Sequence, residues 1–90
     1  MKRFNWNADK NEQLRLERDI SFEEIIFPLE NGGSLDILEH PNQERYGGQR
    51  IFVVAVEDYA HLVPFVEDEG EVFLKTIIPS RKATRTYLGK

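Results

Sequence analysis

The chain has 90 residues, 40% of them hydrophobic and ten aromatic, with a formal net charge of −4. That is one domain, residues 1–90, with apolar content enough for a modest core and too much for a disordered chain. The absence of cysteine excludes disulfides and thiolate metal sites and fits a reducing cytoplasm, and no apolar run is long enough to span a membrane.

The charge is unevenly placed. Residues 1–18 hold five Lys/Arg and three Asp/Glu, residues 19–74 hold two and thirteen, and residues 75–90 hold five and none. An acidic chain with a wholly cationic end has a place suited to a polyanion, most often the phosphates of a nucleic acid. A solvated basic tail is the plainer alternative.

In chain order, Arg3–Trp6 is short and aromatic, and predicts a first strand. The basic Met1–Trp6 segment is followed by no apolar stretch of signal-peptide length. Residues 8–18 are good helix formers without Gly or Pro, and Asp19 breaks the pattern. Ser21 with Glu24 three residues on forms a capping box. Phe22, Ile25, Ile26 and Leu29 then recur at helical spacing, with Pro28 inside the run and Gly32-Gly33 as the stop. Leu35, Ile37 and Leu38 predict a strand, and Glu39 to Gly48 a long polar loop. Arg50–Glu57, Tyr59–Val66 and Glu71–Ile78 predict three meander strands, with Pro64 demanding a bulge or an edge. Pro79 ends the last strand, and Ser80 caps a short final helix. The expected class is α+β: a small twisted antiparallel sheet, two N-terminal helices on one face and a short C-terminal helix.

Little else carries chemistry. His40 falls in the polar loop and His61 inside a strand. Histidine as a residue type titrates near neutral pH, so a His–Glu or His–His ribonuclease pair is an open possibility, although an ordinary surface histidine is the simpler reading. No spacing suggests a metal site, so no metal or other cofactor is expected. Arg81 and Arg85 lie four apart on one helical face, with Lys82 beside them. Arginine forks hold phosphate in two bonds and stabilise charge on a pentavalent phosphorus. Trp6 is either a core residue or a platform for a base. Lys10, Arg15 and Arg18 on the first helix are, singly, solvated charges.

Two words together resemble the BrnT family of bacterial type II toxins. One is Phe4-Asn5-Trp6-Asn7-Ala8-Asp9-Lys10-Asn11, continuing to Ile20-Ser21-Phe22-Glu23-Glu24. The other is Ile77-Ile78-Pro79-Ser80-Arg81-Lys82-Ala83-Thr84-Arg85. Arg18-Asp19 stand where that family has His-Gly, Asn7 where it has Asp, and Thr76 where a strand arginine is common. The resemblance implies a RelE-like fold and an endoribonuclease that arrests translation and growth. It implies a cognate antitoxin, a small DNA-binding protein, in a toxin–antitoxin hetero-oligomer. It also implies catalytic roles for Arg81, Lys82 and a central-strand arginine. Arg50 matches best by spacing, with Arg45 in Glu44-Arg45-Tyr46 competing. Trp6, Lys10, Arg18, Lys75 and Arg85 would line the RNA path. The general base stays open among Glu44, His61 and a lysine. A non-catalytic protein- or RNA-binding module of the same fold is the alternative.

Overall fold

The computed structural model describes residues 3–90. The elements run β1 (Arg3–Trp6), α1 (Ala8–Arg18), α2 (Phe22–Glu30), β2 (Ser34–Glu39), β3 (Arg50–Val56), β4 (Tyr59–Asp68), β5 (Glu71–Leu74), β6 (Ile78–Pro79) and α3 (Arg81–Leu88). The fold is α+β, as expected. The sheet is mixed, however, and not antiparallel throughout. Its order is β1-β5-β4-β3-β2 with β6 also on β4, and β1 lies parallel to β5. The meander pairs are antiparallel because short turns reverse the chain. β1 reaches β5 only after two helices and three strands. A four-residue strand carries no sequence signal for the direction of so distant a partner.

The helix ends follow local chemistry. Asn7 caps α1, its Oδ1 accepting from the Lys10 backbone N–H at 2.9 Å. Asp19 ends it in the left-handed conformation, φ 55°. The Glu24 carboxylate accepts from the Ser21 N–H at 2.9 Å, as the capping box requires. Asn11 joins the two helices. Its amide donates to Glu23 and its carbonyl accepts from the Phe22 N–H, both at 2.8 Å. Pro28 does not end α2, which runs on to Glu30. A side chain at Gly33 would put a Cβ 2.8 Å from the Pro28 carbonyl, so only glycine lets the chain turn back there.

Glu71–Ile78 is not one strand. β5 stops at Leu74 and β6 begins at Ile78, pairing further along β4. Ile77, fully buried, fills the core at the crossing. This break explains Pro64, which sits inside β4 and not at an edge or bulge. Its carbonyl accepts from the Lys75 N–H at 2.8 Å. Its missing N–H would point the same way, into the gap where β5 hands over to β6, so no ladder bond is lost.

Two apolar clusters flank the sheet. Leu14, Ile20, Phe22 and Ile25 pack with Phe52, Val54, Val63, Phe65, Val72, Leu74 and Ile77. Ala83, Tyr87 and Leu88 of α3 pack with Val53, Ala60 and Leu62. Successive β3 residues alternate between the clusters, which therefore lie on opposite faces. α3 is pinned by Thr84, which is 5% exposed. Its hydroxyl accepts from the Ala60 N–H at 2.9 Å and donates to the Ser80 carbonyl at 2.8 Å. Thr84→Val keeps the shape and orphans a buried N–H. It is expected to cost about 1–3 kcal/mol in urea unfolding; a loss within error would mean that α3 is held by its apolar contacts alone.

Candidate active site at the β4–β6 edge

The expected cationic residues fall into two groups. Ser80 begins the first. It caps α3, its Oγ accepting from the Ala83 N–H at 3.1 Å, and its own N–H donates to the Ala60 carbonyl at 3.0 Å. Burial of Ala83 and Thr84 turns Arg81, Lys82 and Arg85 outward, all exposed. None of the three forms an ion pair with a described residue.

His61 lies next to this helix start, because it pairs with Pro79 across the β4–β6 ladder. The two Cα atoms of such a pair are about 5 Å apart, and Arg81 follows two residues later. The His61 side chain points to the α1–α2 face, cross-strand from Val54. Arg18 arrives there from the end of α1 and donates through Nη1 to the Ile77 carbonyl at 2.7 Å. Arg18, Asp19, Ile20, Glu24, Val56, Glu57, Tyr59 and His61 line a cavity of about 250 Å³.

The protonation of His61 follows from its partners. Its Nδ1 lies 3.0 Å from the Tyr59 carbonyl. A carbonyl only accepts, so Nδ1 carries the proton and Nε2 keeps its lone pair. Burial holds the imidazole pKa below its ordinary value, against the opposing pull of the Tyr59 carbonyl and the Glu24 carboxylate. No buried side-chain nitrogen of the described residues lacks a partner. Nε2, bonded to no described residue, therefore reaches solvent. A neutral imidazole with an accessible lone pair beside a guanidinium can take a proton from a hydroxyl while an anion is held next to it.

Arg50 belongs elsewhere. It pairs with Phe65, four ladder positions from the His61–Val54 pair, or about 13 Å along the strand. Its guanidinium bonds Glu67 at 2.6 Å and lies over the Phe65 ring. It borders a separate cavity of about 260 Å³ with Phe4, Leu29, Ile37 and Phe52. The fold does not bring Arg50 and Arg81 together. Arg45, its competitor, lies in the polar loop over the Tyr46 ring, which packs on His40. Glu44 is exposed in the same loop.

The other expected RNA contacts are scattered. Trp6 is half-buried and stacks on Phe22 with ring centres 5.6 Å apart, so its near face is taken by the core. Lys75 lies over Phe73 between β5 and β6. Lys10 is half-buried in the first turn of α1. Sequence reasoning left His61 unranked and gave no part to Tyr59 or Glu24. The only signal for them was a histidine two residues into a strand, which says nothing of the groups folded over it. Among the described residues no three imidazole and carboxylate groups converge to hold a metal ion. No helix among them is long and apolar enough to cross a membrane.

No family model, curated protein or solved structure matches the chain.

Proposed function

We propose that this chain is a ribonuclease of the toxin kind, with a RelE-like fold, that cleaves RNA without a metal ion and so arrests translation. One observation carries the reading. A neutral imidazole whose Nε2 meets no described residue lies in a cavity with Arg18, at the sheet edge from which α3 projects three cations that pair with no described residue. In this reading Nε2 of His61 takes the proton of a ribose 2′-hydroxyl. That oxygen attacks the adjacent phosphorus, the P–O5′ bond breaks, and the leaving oxygen takes a proton from water. The products are a 2′,3′-cyclic phosphate and a 5′-hydroxyl. Arg18, which lines the cavity, offsets charge on the phosphorane, and Arg81, at the start of α3, holds the phosphate beside it. Lys82 and Arg85 hold neighbouring phosphates. Arg50, tied to Glu67, takes no part in the step.

The two resembling words support the toxin reading, and with it a cognate antitoxin, a small DNA-binding protein that would bind this chain in the cytoplasm as a hetero-oligomer. Induction of the chain alone in a bacterium is expected to stop growth. Arg81→Ala is expected to restore growth at equal protein level, since Arg81 is exposed and its loss spares the fold. Undiminished arrest in that variant sinks the assignment of Arg81.

A second reading is a non-catalytic module that binds RNA or protein. Asp19, Glu24 and Glu57 around His61 favour it, because carboxylates repel phosphate. If the purified protein retards a mixed RNA pool and leaves every strand intact, this second reading holds.

A further inference from the structure

We propose that Tyr59 is the stacking platform for an unstacked base, which makes single-stranded RNA the substrate. The inference rests on the ribonuclease reading above and adds the residue that would seat the nucleotide. Tyr59 is the aromatic ring at the mouth of the His61 cavity, and it is 36% exposed. Its ring meets the imidazole edge-to-face, centres 5.7 Å apart and planes at 68°. Its hydroxyl has no hydrogen-bond partner among the described residues. The Tyr59 ring thus stands one nucleotide's reach from the group that would take the 2′-hydroxyl proton.

The turn that presents it is strained. Val56 and Tyr59 close a two-residue hairpin whose central residues, Glu57 and Asp58, have φ of 52° and 68°. Asn-Gly is the ordinary choice for such a turn. Side chains larger than glycine in left-handed backbone persist where the surroundings over-determine them, and such positions gather at functional sites. Trp6, the other candidate platform, has its ring on Phe22. Base–aromatic stacking is sequence-tolerant and favours strands whose bases are already splayed.

The test is binding of a short single-stranded 2′-O-methyl RNA, which lacks the attacking hydroxyl and is not cut. A matched oligonucleotide with one abasic position is run beside it. Wild type and Tyr59→Phe are expected to bind the intact strand within about two-fold of each other. Tyr59→Ala is expected to bind about ten-fold or more weakly. The abasic strand is expected to lose affinity for wild type and not for Tyr59→Ala. Equal binding by wild type and Tyr59→Ala overturns the proposal while leaving the ribonuclease reading standing. So does an equal loss in Tyr59→Phe, which would assign the effect to the hydroxyl. Failure of wild type to bind any RNA removes the ribonuclease reading and this inference with it. Circular dichroism of each variant checks the fold.

Discussion

Exchange of His61 for glutamine is expected to lower RNA cleavage by about 10²–10⁴-fold, the usual contribution of a positioned acid or base. Glutamine can still donate to the Tyr59 carbonyl, so the site keeps its shape and loses only the group that accepts a proton. The pH profile separates this from a structural effect. Cleavage needs the neutral imidazole, and burial lowers the pKa from the ordinary 6.5. Activity is therefore expected to hold as pH falls to 6.5 and to decline only below it. The acid limb should vanish in His61→Gln. An acid limb of unchanged position in the variant would show that another group titrates. Stability moves the same way. The folded-state pKa is depressed, so His61 favours the native state above 6.5, and that contribution is lost as pH falls through the lower folded value. Acid thus weakens both the reaction and the fold.

Phe22→Ala is expected to remove about 3–5 kcal/mol of folding stability. Phe22 is fully buried, stacks on Trp6 and shares its cluster with residues of α1, α2 and four strands. The hole left there opens the contact that holds both N-terminal helices to the sheet. A domain of this size has a total stability of about 5–13 kcal/mol, so the loss is about a quarter of it or more. Urea unfolding followed by circular dichroism measures the change, with fluorescence of the single tryptophan as a second probe. A change below about 1 kcal/mol would mean that the helices dock loosely and the core is carried by the strands.

Much of what looked like a functional word has a structural role. Trp6 packs on Phe22, Asn7 caps α1 and Asn11 ties α1 to α2. At the other end Ser80 caps α3 and Thr84 locks it to Ala60. These residues build the two ends, and the exposed Arg81, Lys82 and Arg85 are what remains for binding. Arg50 was equally cationic in sequence. Its partner Glu67 lies 17 residues away, so only the folded chain shows that its charge is already matched.

Local chemistry determined the elements. Helical spacing, a capping box, glycines and turn residues act within a few positions, and their effects are legible in the chain itself. So was the uneven charge, since no fold can move Lys82 to the start of the chain. The direction of β1, the break that accommodates Pro64, and the convergence of Arg18 and His61 were decided by tertiary structure. Each depends on contacts between segments that only folding brings together. Burial and a carbonyl 3.0 Å away set the proton on His61, and neither exists until the strands and helices close around it.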